Sequence, residues 1–432
     1  GQTGNSTFTQ NYGTTKTIAN PTPPVGYKVT FDGNTGTAGQ SSITSTKSFV
    51  NWTEEGPGTL AGTTYTFGAG AGTLTANYAN NAITLPTATK EGYHCIGWFT
   101  SANGGEKRGD VGGSYTPTSE ETLYAHWEAN TYTIVFNSNG GSGNMSDLIM
   151  TYDTPKNLTK NAFTKTGYEF VGWDQNNSAI TAQYADEASV NNLTSENGGR
   201  ITLYAIWKKT ITITYNANGG SGAPGQQTGT MYNAETSTDI VLSDTVPTRE
   251  GYTFNGWTDV QGSTSVKYQP GGTYAFSDNT TLYAVWGTNS YTLTVDPNGG
   301  TWNGQTTSSE VKGDYGSTTT ISDPTPPVGY TISFDGNGGS KPDAIISTKS
   351  FKNWTEEGPG TLSGTTYTFG AGAGKLTANY TDNSIVLPTT TREGYHCTGW
   401  YTLANGGEKR GDVGESYTPT SAETLYAHWE AN

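Results

Sequence analysis

Charge is scarce in this chain. Of its 432 residues only 14% are Asp, Glu, Lys or Arg, and the acidic ones prevail, 37 against 22, leaving a formal net charge of −15. An acidic chain is repelled by phosphate backbones, so nucleic acid is excluded as an expected partner. Cysteine is almost absent. Cys95 and Cys397 occupy equivalent places in two copies of one repeat, so they do not imply a disulfide framework. Long apolar runs are missing, and no basic-plus-apolar leader opens the chain. Nothing in these residues is expected to enter a membrane or direct export, and a signal or anchor would lie outside them. Helical spacing of apolar residues is also lacking, which leaves room for at most one short helix per module, around residues 229–247 or 182–194.

What is present is repetition. The stretch Gly251-Tyr-Thr-Phe-Asn-Gly-Trp257 returns as Gly167–Trp173, Gly92–Trp98 and Gly394–Trp400, with a shorter cousin, Ser-Phe-x-Asn-Trp, ending at Trp52 and Trp354. Each copy is followed by a closing segment of Leu, Tyr or Thr, Ala, a variable residue and an aromatic: Leu74–Tyr78, Leu123–Trp127, Leu203–Trp207, Leu282–Trp286, Leu376–Tyr380 and Leu425–Trp429. Ten of the eleven tryptophans belong to these two motifs, and Trp302 stands apart. Ahead of each motif, segments such as Tyr132-Thr-Ile-Val-Phe136, Ile211-Thr-Ile-Thr-Tyr215 and Tyr291-Thr-Leu-Thr-Val295 alternate in the period of a half-buried strand. Each runs into Asn-Gly-Gly (Asn139, Asn218, Asn298), whose residues accept positive φ and suit a tight hairpin turn. Trp257 has the opposite parity to Tyr252 and Phe254, so a bulge at Gly256 is expected to return it to the core.

A longer period overlies the short one. Gly1-Gln-Thr3 matches Gly304-Gln-Thr306, Tyr12 matches Tyr315, Tyr93 matches Tyr395, and Asn130 matches Asn432. The chain therefore reads as a cut from a longer periodic polypeptide, and Tyr291–Asn303 has no counterpart ahead of Gly1. An open sheet edge is expected there, able to accept a strand from a preceding stretch or another chain. Boundaries fall just after the closing aromatics: 1–80 as a variant module lacking its first strand, 81–130 short, 131–209 and 210–290 full, 291–380 a variant and 381–432 short. Linkers of three or four residues leave neighbouring modules little freedom, so the expectation is a mainly β array of small modules in a semi-rigid rod.

The order Tyr-x-(Val/Ile)-x-(Phe/Tyr)-x-x-Asn-Gly-Gly, then Pro-Thr-x-x-Gly-Tyr-x-Phe-x-Gly-Trp, then Thr-Leu-Tyr-Ala-x-Trp resembles the Listeria–Bacteroides repeat, the internalin B-repeat type of module. Residues 131–209 and 210–290 match it in full. Residues 1–130 and 291–432 resemble a variant, in which a first unit carries an insertion after Gly-Tyr (Lys28 to Lys47; Thr331 to Lys349) and a second lacks the first hairpin. The resemblance implies small β-grasp-like modules, with a small α+β content allowed, on secreted or surface-anchored bacterial proteins that serve as stalks, spacers or adhesive segments.

The recurring rings are read as core: Tyr93, Trp98, Trp127, Tyr168, Phe170, Trp173, Trp207, Tyr252, Phe254, Trp257, Trp286, Tyr395, Trp400 and Trp429. Each buried ring removes about 150–250 Å² from water, which is how so small a module holds together. Trp302, outside both motifs, is expected at the surface. Arg108-Gly109-Asp110 and its copy Arg410-Gly411-Asp412 could meet an integrin-like host receptor, although a charged turn needs the same residues. Cys95 stands where other copies have Phe170 and Phe254, a core slot rather than a nucleophile; His94 stands opposite Glu169 and Thr253 and His126 opposite Ile206 and Val285, and the adjacent His94 and Cys95 point to opposite faces of a strand. Asp32-Gly-Asn34, Asp335-Gly-Asn337 and Asp296-Pro-Asn298 could offer oxygens to Ca²⁺ but lack the spacing of a calcium loop. No catalytic or metal site and no resident cofactor is expected. Expected partners are neighbouring modules, other copies of the chain, and a glycan or host receptor as the alternative to a purely structural role.

Overall fold

The module of residues 131–209 shows how alternation becomes a sheet. In the computed structural model, which describes residues 4–432, the strand Thr131–Asn137 buries Tyr132, Ile134 and Phe136 on one face, the period-2 reading of its sequence. It pairs antiparallel with Leu148–Thr151 on one side. On the other it runs parallel to the start of Arg200–Asn216, from Thr133 opposite Arg200 to Asn137 opposite Tyr204. Glu169–Asp174 completes the sheet antiparallel to that same strand. First and last strands thus lie parallel at the centre with the hairpin and the third strand outside, a β-grasp-like order. Among the described residues all regular elements are strands and no helix occurs. The span 229–247 takes in the end of Gln227–Tyr232 and all of Thr238–Val241, and 182–194 contains Ser189–Val190, so the short helix allowed from sequence does not form. Thr, Val and Ile at alternating places favour the extended chain there.

The Asn-Gly-Gly turn is not a tight hairpin. Asn139 and Gly140 do have positive φ (48° and 82°), but the next strand begins only at Leu148, and in between Ser142 bridges to Thr164. The turn delivers the chain sideways to the segment that precedes the Gly-Tyr motif.

Two compact units are present, one running to Thr210 and taking in Thr230–Thr236, the other comprising Ile211–Gly229 and Ser237–Asn432. In the second, Ile213–Asn216 runs parallel to Thr280–Tyr283, and Tyr252–Thr258 lies antiparallel to Thr280–Thr288, which repeats the arrangement of 131–209.

The short modules differ from expectation. Glu121–Ala129 pairs parallel with Lys28–Asp32, Leu123 opposite Phe31, and Lys28–Asp32 in turn pairs with Ser42–Thr44. In the second unit Glu423–Ala431 pairs with Thr331–Asp335 in the same register. The apparent insertion after Gly-Tyr is therefore the first hairpin that residues 81–130 and 381–432 were expected to lack. Chain order and sheet membership interleave: Lys47–Glu55 and Thr73–Asn80, which pair with each other, lie between two parts of the sheet that holds Trp98. In the second unit Lys349–Glu357 and Gly374–Asp382 are likewise enclosed, and they share a sheet with Ser290–Asp296 and Ser309–Asp314.

The bulge is present in every copy. The ladder shifts register between Cys95 and Gly97, Phe170 and Gly172, Phe254 and Gly256, and Cys397 and Gly399, and the following tryptophan is fully buried each time. Gly256 has φ +143°, and a Cβ there would lie 2.5 Å from Val266 and 2.9 Å from the Tyr268 carbonyl. Conformation and space both require glycine.

Candidate functional site

Each module is organised around one ring cluster locked by one turn. Trp98, Trp173, Trp257 and Trp400 are 0% exposed and make edge or tilted contacts with the ring of the first strand: Phe31 at 4.9 Å, Phe136 at 4.8 Å, Tyr215 at 4.9 Å and Phe334 at 4.9 Å between centroids. Phe170 and Phe254 bridge this tryptophan to the closing one, Trp207 or Trp286. Such geometries suit the ring quadrupoles and add to the area buried.

The closing aromatic grips the turn. Its indole N–H donates to the carbonyl of Gly33 from Trp127 (2.9 Å), of Ser138 from Trp207 (2.7 Å), of Ala217 from Trp286 (3.0 Å) and of Gly336 from Trp429 (2.9 Å), while Tyr380 uses its hydroxyl on Pro297 (2.6 Å). The turn asparagine answers from the other side. The side-chain amides of Asn34, Asn139, Asn218, Asn298 and Asn337 donate to the carbonyls of Ala125, Ala205, Ala284, Ala378 and Ala427, at 2.9 to 3.0 Å. The second glycine of the turn lets the ring approach: a Cβ on Gly220 would sit 2.6 Å from the Trp286 ring. Sequence reasoning took Asn-Gly-Gly only as turn chemistry. The invariant alanine of Leu-Tyr-Ala-x-Trp, paired with each asparagine, was the available signal.

The other expected core rings are less enclosed. Trp127, Trp286 and Trp429 are half-buried, as are Tyr93, Tyr168 and Tyr252, and Tyr395 is 39% exposed. Tyr168 lies under Lys165 and Tyr252 under Arg249, at 4.3 and 3.8 Å. Tyr93 packs edge-on against Tyr152, as Tyr252 does against Tyr315.

Trp302 is not a surface residue. It is 5% exposed, donates to the Ser322 carbonyl at 2.9 Å, and packs in the cluster of Leu293, Val295 and Leu376, because Thr301 pairs with Thr325 and folds the ring inward. The Arg-Gly-Asp copies lie in and just after the short strands Lys107–Gly109 and Lys409–Gly411, their charges engaged. Arg108 pairs with Glu106 and Glu121 (2.9 and 3.2 Å), and Asp110 with Lys107 (2.5 Å). Arg410 and Asp412 repeat this with Glu408, Glu423 and Lys409. Exposed pairs of this kind hold local geometry more than they stabilise.

Cys95 sits half-buried beside the core, its thiol toward the Gly97 carbonyl at 3.5 Å, and burial pushes its pKa up, away from the nucleophilic thiolate. His94 meets Asn130 at 2.9 Å, and His126 stacks on Phe99 at 4.0 Å. The Asp32, Asp335 and Asp296 carboxylates accept from the backbone N–H of Asn34, Asn337 and Asn298, so each closes its own turn. Among the described residues no three His, Cys, Asp or Glu side chains cluster as metal ligands would, and no helix is long and apolar enough to cross a membrane.

The repeat sequence recurs in known proteins. The Listeria-Bacteroides repeat domain matches residues 62–126, 132–206, 212–285 and 366–428. A Gly-rich membrane protein of Evansella cellulosilytica is 27% identical over 80% of the chain and 39% of its own length. A second membrane protein of that organism is 30% identical over 72% of the chain and 45% of its length. Internalin H of Listeria monocytogenes is 35% identical over 30% of the chain and 22% of its length. The chain thus spans less than half the length of each of these relatives.

Proposed function

Because the chain belongs to the Listeria-Bacteroides repeat domain family, a repeat type of bacterial surface proteins, we propose that it is a non-enzymatic structural segment, a stalk or spacer of an extracellular cell-surface protein. One observation carries this reading. In successive modules the same rings, the same turn asparagine and the same alanine carbonyl satisfy one another, so the repeated residues are spent on holding the module. Repeating one packing solution lets reach scale with copy number. Acid–base and nucleophilic candidates are dispersed or enclosed, and the Arg-Gly-Asp charges are paired within their own module.

Pulling the whole chain end to end checks this. Under a rising force it should lengthen in discrete steps that refold on relaxation, and the purified chain should show no saturable binding on a glycan array. One featureless extension, or receptor or glycan binding lost on Arg108→Ala with Arg410→Ala, would replace the stalk with an adhesin.

A further inference from the structure

Nine asparagines in this chain are followed by glycine, and the fold holds seven of them in place. Asn139, Asn218, Asn298 and Asn337 are the turn asparagines whose side-chain amides donate to alanine carbonyls, at 2.9 to 3.0 Å. The side-chain oxygen of Asn197 accepts from the Thr131 N–H at 3.2 Å. Asn255-Gly256 is fixed in the ladder at the bulge, with Gly256 buried opposite Val285. Asn303-Gly304 lies in a turn closed by backbone bonds of 2.9 Å in both directions between Trp302 and Gln305. Gly1-Gln-Thr3, the match of Gly304-Gln-Thr306, lies outside the described residues.

Asn103-Gly104 and its copy Asn405-Gly406 differ from all of these. Each pair forms the tip of a loop whose flanks are anchored. Thr100 and Glu106 are joined by two bonds of 3.0 Å, one of them through the Thr100 hydroxyl, and Thr402 and Glu408 repeat this. The carbonyls of Ala102 and Ala404 accept from the Asn34 and Asn337 amides at 2.9 and 2.8 Å. Asn103 and Asn405 themselves are exposed, and among the described residues no hydrogen bond engages either side-chain amide. Gly104 and Gly406 follow at φ +76° and +75°, and a Cβ on either would meet nothing within 4 Å.

We propose that Asn103 and Asn405 are sites of spontaneous covalent modification, at which the side-chain amide is converted to an acid through a cyclic imide. A solvent base takes the proton of the Gly104 nitrogen, which attacks Cγ of Asn103. The new C–N bond closes the ring as the bond to the side-chain nitrogen breaks, and ammonia leaves with a proton returned from solvent. Water then opens the ring at either carbonyl, giving aspartate or isoaspartate. One water is consumed and one ammonia released. The attack needs the backbone nitrogen aligned with Cγ at close range. A free amide beside a glycine, which rotates without a side chain in the way, reaches that geometry readily. At the four turn asparagines the amide is held toward an alanine carbonyl, so local opening has to come first. The bond that locks each module thus also protects its own asparagine, and the reaction is directed to one loop tip in each long period, where it adds a negative charge beside Glu106 or Glu408.

Ageing the full folded chain in buffer at neutral and at mildly alkaline pH, with peptide mapping by mass spectrometry and fragmentation that separates aspartate from isoaspartate, tests this. The expected result is conversion at Asn103 and Asn405 to a mixture of both products, faster at the higher pH, and slower by about tenfold or more at Asn139, Asn218, Asn298 and Asn337. In concentrated denaturant, where the locks are open, these six should convert at similar rates. Equal rates at loop-tip and turn asparagines in the folded chain would overturn the proposal. So would aspartate formed without isoaspartate, since direct hydrolysis passes through no ring, or a rate that does not rise with pH. None of these outcomes depends on whether the chain acts as a stalk.

Discussion

At the turn after each first strand one asparagine holds two elements together. Asn218 sits at φ +49°, takes its backbone N–H to the Asn216 side chain at 2.8 Å, and sends its amide to the Ala284 carbonyl. Asn218→Gly keeps the backbone conformation but leaves that carbonyl without its donor, so a loss of about 1–3 kcal/mol is expected in chemical denaturation. Asn218→Ala should lose about 1–2 kcal/mol more, the cost of a Cβ in left-handed backbone. A glycine variant as stable as the parent would show that the amide bond contributes nothing. Tyrosines set the alkaline limit. Burial first, and then the hydrogen bond to Glu121 or Glu423, pushes Tyr115 and Tyr417 each up to about 12. Both rings hold their proton more tightly folded than unfolded. Their contribution is complete below the ordinary tyrosine value of about 10 and disappears as pH rises through about 12. Tm should fall across that window, and fall less steeply in the Tyr115→Phe, Tyr417→Phe double variant.

At the scale of the element the bulge decides which residues are core. An unbroken ladder would put Trp173 on the face opposite Phe170's neighbours, and the one-residue slip at Gly172 returns it inside. A Cβ on Gly172, at φ +147°, would sit 2.5 Å from the Tyr184 carbonyl and 2.6 Å from Ala182. Gly172→Ala should therefore cost about 1–3 kcal/mol in backbone strain alone, and more from the clash. Gly198→Ala is the control, with φ +74° and open space around its Cβ, and should cost only about 1–2 kcal/mol. Equal losses by thermal denaturation would mean that crowding at the bulge does not matter. The parity argument placed this bulge from sequence because Tyr, Phe and Trp lie at countable positions. Trp302 offered no second copy to compare, and only the Thr301–Thr325 bridge shows it turned inward.

For the whole molecule, interleaving sets which pieces fold. Residues 81–130 expressed alone lack Lys28–Asp32, the parallel partner of Glu121–Ala129, and with it Val29 and Phe31 of the core. That fragment should be unfolded by circular dichroism and NMR. Residues 131–209, which hold Thr131–Asn137, Leu148–Thr151, Glu169–Asp174 and the part of Arg200–Asn216 that pairs with them, should unfold cooperatively, and residues 26–130 should regain structure. A folded 81–130 fragment would remove the case for a shared sheet. The interleaving escaped sequence reading because Gly26-Tyr27 and Gly329-Tyr330 imitate the start of the Gly-Tyr-x-Phe motif. Lys28-Val-Thr-Phe-Asp-Gly-Asn34 and Thr331-Ile-Ser-Phe-Asp-Gly-Asn337 nonetheless carry the alternation and turn of a first strand.

Period-2 alternation, recurring rings and turn glycines settled locally that this protein is a mainly β array of repeats, since side-chain direction and positive φ are properties of a few adjacent residues. Which hairpin joins which sheet was decided by tertiary structure alone. Phe31 and Leu123, or Val295 and Leu376, pair across scores of intervening residues, and the chain between them carries no mark of its partner. Only the burial of a whole face chooses among strands that look alike.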